Sequence, residues 1–389
     1  MLEILRPNDL VFPFFLVVQW RVTVKLFEFI RRRFAGRATA VARVAAVGFS
    51  LTVIAGFLMT FPDLVMALKL RGSASLIVGA ICLAYLLAVT GALVVSFVMR
   101  HIHRKVAPRV DPGRRHLIAA TGNVLMAAPL VALAGGFVTR NDFHVREIDI
   151  PIADLPDALR GLRILQLSDI HLSVFLSERD LARVIDASNE LRPNVAVVTG
   201  DLISTRGDPL DACIRQLQRI KSDAPMLGCL GNHERFAEVE DYCAEQAARV
   251  GIRFLRGEAR VLRFGGAPLN VAGVDYQSLE HKDSYLEGAG SLIVPGATNV
   301  LLSHNPDVFP VAASQGYALM LGGHTHGGQV TVEILDQAVN PARFITPYVY
   351  GRYRLGRSSA YVTRGIGTIG IPARIGAPPE ITVVRLRKA

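Results

Sequence analysis

The sequence predicts an α/β domain standing behind an N-terminal α-helical transmembrane region. Three observations lead there. The 389 residues are 51% hydrophobic, and three stretches before residue 140 contain no charged side chain. Beyond residue 160, apolar runs of strand length alternate with amphipathic runs of helix length, the pattern of βαβ crossovers and a parallel sheet. The charge follows the same division: residues 1–139 carry a net +11 and residues 140–389 a net −1. A nucleic-acid binder carries its basic face on its folded domain, so the overall +10 does not point to nucleic acid, and none is expected as a partner.

The uncharged stretches are Val44–Pro62 (19 residues), Gly72–Met99 (28) and Leu117–Thr139 (23). About 20 apolar residues span a bilayer as a helix. The expected spans are about 44–62, 75–99 and 117–139, with a doubtful segment at about 10–30 that either spans or lies at the interface with Trp20 at headgroup level. The loop with Arg31, Arg32, Arg33, Arg37 and Arg43 and the loop with Arg100, Arg104, Lys105, Arg109, Arg114 and Arg115 are basic. The loop between them holds only Lys69, Arg71 and Asp63. The positive-inside rule makes the two basic loops cytoplasmic and everything after Arg140 extracytoplasmic. With no ionisable residue in the three runs, an anchor is a simpler reading than a transporter. A cleaved signal peptide fits badly, because further spans follow.

Residues 140–160 read as a linker and first edge strand, and 161–389 as the folded domain. Arg163–Leu167, Asn194–Val198 and Pro225–Leu230 read as strands. Ser177–Leu191 (with Ser177 as N-cap), Asp208–Ile220 and Phe236–Val250 read as helices between or after them. Phe254–Phe264, Leu269–Val274, Thr298–Leu302, Tyr317–Leu321 and Ile381–Leu386 read as later strands. Cys213, Cys229 and Cys243 show no metal or redox spacing. They read as small buried side chains, with one disulfide among them as the alternative in an oxidising compartment.

Polar residues follow the apolar strands, where open α/β sheets place their sites. The tips are Asp169-Ile-His171, Gly200-Asp201, Gly231-Asn232-His233-Glu234, Ser303-His304-Asn305 and Gly323-His324-Thr325-His326. Asp169 to Asp201 is 32 residues and Asp201 to Asn232 is 31, one βαβ unit each, so these tips should lie side by side. Alternation would set His324 and His326 on one side of an extended backbone. Any one tip alone is an ordinary turn. All five in this order, each after an apolar run, make a set of carboxylate, amide and imidazole donors suited to first-row divalent metals. Seven donors are too many for one ion and suit two, which can clamp a phosphoryl group between them.

These motifs resemble the calcineurin-like metallophosphoesterases, whose pattern is D-x-H, G-D, G-N-H-[D/E], H and G-H-x-H. The resemblance covers about residues 146–389 and is closest to the branch with an N-terminal membrane region, through Leu167–Leu172, Val198–Leu202, Leu302–Asp307, Gly323–Gln329 and Thr363–Gly367. It implies a four-layer αββα sandwich. It also implies two divalent metal ions (Mn, Fe or Zn), one held by Asp169, His171, Asp201 and His326 and the other by Asp201, Asn232, His304 and His324, with Asp201 bridging. A water activated between the metals would be the nucleophile. His233 would contact the phosphate and stabilise charge or protonate the leaving oxygen, with Glu234 orienting it, which makes His233, Asp201 and Glu234 the catalytic set. Asn232, His233 and Arg364 would bind substrate. Of the other arginines near the C-terminus, Arg352, Arg354, Arg357 and Arg374 are suited to bidentate phosphate contacts, with solvated loop arginine as the alternative for most of them. Val174, Phe175 and Leu176, after His171, are either packing or a membrane-facing lip.

The resemblance implies a membrane-anchored phosphoesterase of a bacterial inner membrane, acting on a phosphodiester or pyrophosphate of a phosphorylated lipid, envelope component or small molecule, with membrane lipids as its partners. UDP-2,3-diacylglucosamine pyrophosphatases of lipid A synthesis are similar too, but they work on the cytoplasmic face. A non-catalytic sensor or scaffold on the same fold is the remaining alternative, and no metal-ligand position of the motif is missing to favour it.

Overall fold

A computed structural model describes residues 7–61, 64, 65, 68, 73–106, 127–334 and 337–389. The chain divides into two compact units, Met1–Gly135 and Gly136–Ala389.

The first unit is helical. The doubtful segment forms one continuous helix, Pro7–Arg33, with Arg31, Arg32 and Arg33 in its last turn. Gly36–Leu58 and Ala74–Ile102 are each long and apolar enough to cross a membrane. Both reach past the uncharged runs, because Ala and Arg are good helix formers and a charged end can stay in the headgroups. Phe15, Val53, Phe57, Cys82 and Leu86 make a buried cluster among the three helices. Gly56 is part of that contact: a Cβ there would collide with Cys82 Sγ, so glycine permits the close helix approach. Of the third expected span, residues 117–126 lie outside the described residues, as do Arg109, Arg114 and Arg115 of the basic loop. The remainder is the shorter apolar helix Ala127–Val138.

The second unit holds two six-stranded sheets. Strands β1 (His144–Ile152), β2 (Arg163–Leu167), β3 (Val195–Thr199), β4 (Leu227–Cys229) and β5 (Arg253–Phe254) belong to the first. Strands β6 (Glu258–Phe264), β7 (Ala267–Gly273), β8 (Thr298–Leu302) and β9 (Leu319–Gly322) belong to the second. After the short hairpin β10 (Val332–Ile334) and β11 (Gln337–Val339), β12 (Gly351–Leu355) and β13 (Ser358–Val362) complete the second sheet. The last strand, β14 (Glu380–Lys388), returns to the first. The orders are β1-β14-β2-β3-β4-β5 and β12-β13-β9-β8-β7-β6. β2 through β5 are parallel, as are β7, β8, β9 and β13.

Period-two alternation makes the layers. In β3, Val195 and Val197 face the core between the sheets, while Ala196 and Val198 face the helices Glu178–Glu190 and Leu210–Leu217. In β8, Val300 and Leu302 face the middle core, while Leu301 packs with Phe309 and Ala312 of the helix Phe309–Gln315. The result is the expected four-layer αββα sandwich. Gln166 ties the sheets together near the strand ends, donating to Thr199 Oγ1 (3.0 Å) and to the Gly322 carbonyl (2.9 Å).

Local chemistry explains where the elements start and stop. Ser177 caps its helix and forms a capping box with Asp180, worth about 1 kcal/mol. The helix expected over Asp208–Ile220 is only Leu210–Leu217, because Asp208 turns back to accept from the amides of Ser204 and Thr205. The helix expected over Phe236–Val250 is two, Asn232–Phe236 and Glu240–Arg249, broken where Glu238 takes a φ of +55°. The strand expected over Phe254–Phe264 is also two: at Gly257 (φ +73°) the chain leaves the first sheet for the second. Cys213, Cys229 and Cys243 are buried free thiols, so the disulfide alternative falls.

Candidate metal centre

Every predicted tip lies at the C-terminal end of its strand, and the parallel pairing brings them together. Asp169 and His171 follow β2, Asp201 follows β3, and Asn232 and His233 follow β4. From the second sheet, His304 follows β8, and His324 and His326 follow β9. The backbone there is not extended. Asp169, His171, Asp201, His324 and His326 have φ of +49°, +48°, +56°, +75° and +53°. The expected alternation of His324 and His326 is therefore wrong: the chain turns left-handed at both. Left-handed φ in a residue with a Cβ costs on the order of 1–3 kcal/mol, and such strain gathers where a site over-determines the chain. Two glycines allow the tips to meet. A Cβ on Gly231 would strike Asp201 Oδ1, and one on Gly323 would strike Ser168 and Asp169.

The donor atoms fall into two groups sharing one carboxylate. His171 Nε2 lies 3.1 Å from His326 Nε2, and His326 Nε2 lies 3.4 Å from Asp169 Oδ1. On the other side His304 Nε2 lies 3.1 Å from Asn232 Oδ1 and 3.2 Å from His324 Nδ1. Asp201 Oδ2 stands between them, 3.0 Å from His304 Nε2 and 3.5 Å from His171 Nε2. Its Oδ1 accepts the His233 amide at 2.9 Å. His326 thus joins one group through Nε2 and His324 the other through Nδ1.

These donors fit divalent cations. Asp169, His171 and Asp201 are buried, and Asp169 Oδ2 has no hydrogen-bond partner among the described residues. Burial, with His233 nearby, lowers the His171 imidazole to about 3. Burial and the neighbouring His304 lower His324 to about 3, and burial holds His326 well below its ordinary value. Neutral imidazole is the metal-binding form. Burial opposes charge on His304, but Asp201 overrides it and raises His304 to about 10, so a cation bound at its Nε2 would displace a proton. Burial likewise opposes charge on Asp201, and His304 and His233 override it to keep that carboxylate well below its ordinary range. Burial raises Asp169 to about 6, with His304 opposing and Asp201 adding. Orphaned carboxylate oxygen and imidazole nitrogens facing one another make a coordination set.

Supporting contacts fix the rings. His304 Nδ1 donates to the Thr199 carbonyl (2.7 Å), leaving Nε2 for a ligand. His233 Nδ1 donates to the Ser204 carbonyl (2.6 Å), and Ser204 Oγ lies 3.2 Å from His171 Nδ1. Glu234 does not orient the His233 ring as expected. Its carboxylate accepts from the amides of Gly231 (2.8 Å), Asp201 (3.0 Å) and Leu202 (2.7 Å), stapling two tips together. Glu234→Ala leaves three buried amides without that acceptor. It is expected to lower the melting temperature of the domain by on the order of 5–10 °C, and an unchanged melting curve would contradict this role.

Arg364 stacks on Tyr350, its guanidinium carbon 4.0 Å from the ring centroid, and its buried Nε has no partner among the described residues. Arg352 and Arg357 reach Asp149 and Asp154 on the surface. Arg374 is neither solvated nor free for a phosphate: it is buried, because carbonyls of the surrounding loops satisfy its guanidinium. After His171, Leu176 is buried and Val174 exposed, so that loop is part packing and part lip. Two neighbours escape sequence reasoning: Ser204 and Tyr276. Tyr276 lies 5.6 Å from His324 and 6.1 Å from His304 between ring centroids. It follows β7, and the polar Asp275-Tyr276-Gln277 after an apolar strand is the signal that could have found it.

Fold and site define a metallophosphoesterase, a hydrolase of phosphoester bonds. The sequence model of the calcineurin-like phosphoesterases matches residues 162–328, and with 30% identity over 97% of a metallophosphoesterase relative the chain belongs to that family. A transmembrane protein with metallophosphoesterase domain from Danio rerio is 34% identical over 260 residues, which cover 63% of this chain and 57% of that relative. The uncharacterized metallophosphoesterase YkuE of Bacillus subtilis (strain 168) is 30% identical over 281 residues, 70% of this chain and 97% of YkuE. Phosphodiesterase YaeI of Escherichia coli (strain K12) is 28% identical over 243 residues, 60% of this chain and 86% of YaeI.

Proposed function

We propose that this chain is a membrane-anchored phosphoesterase that uses two divalent cations to hydrolyse a phosphodiester or pyrophosphate bond on a lipid or envelope-linked substrate. The observation that carries the reading is the sharing of Asp201 Oδ2 between His304 and His171. Asp169, His171, Asp201 and His326 would hold one cation, and Asp201, Asn232, His304 and His324 the other. Mn, Fe and Zn all suit such donors. Bound there, the cations would polarise the phosphoryl oxygens and supply a water of nucleophilic basicity.

The remaining work belongs to the chain. His233, fixed through Nδ1 by the Ser204 carbonyl, keeps Nε2 to hold a proton and pass it to the leaving oxygen. Asn232 and His233 contact the phosphate, and Arg364, with its unpartnered Nε, supplies a further donor to it. The carboxylate of Glu234 holds the Gly231 and Asp201 tips in register.

Apolar groups at the rim support a lipid-linked substrate. Phe236 packs edge-on against His233 at 5.7 Å, and both Phe236 and Val174 are exposed, at 45% and 44%. The two apolar helices support the anchor, and the arginine-rich loops support an extracytoplasmic domain. The relative named as a phosphodiesterase supports the diester class.

The purified full chain, loaded with Mn²⁺, is expected to hydrolyse a generic aryl phosphodiester and to lose that activity on chelation. A loaded, folded chain with no hydrolysis would leave the non-catalytic sensor as the reading. A reporter fused after Leu386 tests the orientation. Activity of a cytoplasmic reporter alone would overturn the extracytoplasmic placement and favour the diacylglucosamine pyrophosphatase reaction.

A further inference from the structure

Arg374 is 3% exposed, and its guanidinium is spent entirely inside the protein. Nη1 donates to the carbonyls of His326 (3.0 Å), Arg364 (2.8 Å) and Ala377 (3.2 Å). Nε donates to the Gly367 carbonyl at 3.0 Å, and Nη2 donates to the same oxygen. Nη2 also lies 3.2 Å from His326 Nδ1. Gly367 in turn donates its amide to the Asp169 carbonyl at 2.7 Å. One planar, five-donor group therefore joins the loop of His326, the loop of residues 364–367 that backs Asp169, and the chain at Ala377. The Arg374 amide itself donates to the Gly136 carbonyl at 3.0 Å, so its backbone is held as well.

A buried guanidinium is expensive to desolvate, and burial lowers this one to about 10. Packing alone does not call for it, because an apolar side chain would fill the same space without that penalty. Its geometry suits positioning instead, with five donors in a rigid fork that reach the His326 carbonyl, the loop of residues 364–367 and the chain at Ala377. Lysine has no such fork, and its single ammonium cannot reach carbonyls on three sides.

We propose that Arg374 is a positioning residue for the metal centre, holding His326 and the loop behind Asp169 so that the cation between them is bound in preference to being lost. The proposal rests on the ligand set proposed above. It assigns Arg374 to one of the two cations only, the one on the Asp169, His171 and His326 side.

The test is Mn²⁺ titration of the full chain, followed by the EPR signal of free Mn²⁺, for wild type, Arg374→Ala and Arg374→Lys. Wild type is expected to bind both ions. Arg374→Ala is expected to weaken one of them by about 10–100-fold, the loss typical of removing a ligand's supporting partner, and to leave the other unchanged. Added guanidinium is expected to restore the weakened ion in Arg374→Ala, and Arg374→Lys is expected to stay weakened. A purely structural role would affect both ions alike and would not respond to guanidinium. Wild-type titration by Arg374→Ala, or equal loss of both ions without guanidinium rescue, overturns the proposal. If Arg374→Ala does not fold, Arg374→Lys decides: one weakened ion supports the role, and two normal ions overturn it. Failure of wild type itself to bind two ions would instead overturn the ligand set.

Discussion

Asp201→Asn is expected to abolish hydrolysis while leaving the chain folded. Asp201 Oδ2 is the one oxygen near both nitrogen groups, 3.0 Å from His304 and 3.5 Å from His171. Its other oxygen accepts the His233 amide, so neither position is idle. Asparagine keeps the shape but turns one oxygen into an NH₂ that cannot ligate. If the amide nitrogen takes the shared position, each cation loses a donor. If it takes the other, it meets the His233 N–H as a second donor. Either way the loss should exceed the 10–100-fold typical of a supporting partner, and Mn²⁺ titration should show weakened binding of both ions. Undiminished activity with both ions bound would end the two-metal reading.

His233→Ala should behave differently. His233 lies in the same cleft, its ring 4.7 Å from that of His171, but its Nδ1 is engaged by the Ser204 carbonyl. Removing it should lower kcat by about 10²–10⁴-fold, the usual worth of a positioned acid or base, with both ions still bound. The contrast between the two variants separates holding metal from moving a proton. If His233→Ala instead loses metal and activity together, His233 is a ligand and the assignment of roles fails.

The site's membership was legible in the sequence because it obeys a short-range rule. Each donor follows an apolar strand by two to four residues, and the βαβ spacing sets the first three tips side by side. Its support was not legible. Ser204, Tyr276 and Arg374 matter through contacts across the fold, such as Arg374 to His326 at a separation of 48 residues. Nothing local marks such a residue as different from a solvated one. Glu234 was placed correctly but given the wrong role. Sequence adjacency pointed it at His233, whereas the buried amides of Gly231, Asp201 and Leu202 compete more strongly for its carboxylate. The extended backbone expected at His324 and His326 failed for a related reason. Strand periodicity ends at Gly322, and beyond it the backbone follows the geometry of the site.

The interleaved strand order also fixes a sequence of events during synthesis. β1 pairs with β14 alone, His144 against Glu380, and β14 separates it from β2. A ribosome making this chain delivers β1 just after the apolar helices and its partner among the described residues, β14, more than two hundred residues later. Until then β1 has no place in a sheet, and the neighbouring edge of β2 stays open. Closure of the first sheet therefore waits for nearly the whole chain to be made.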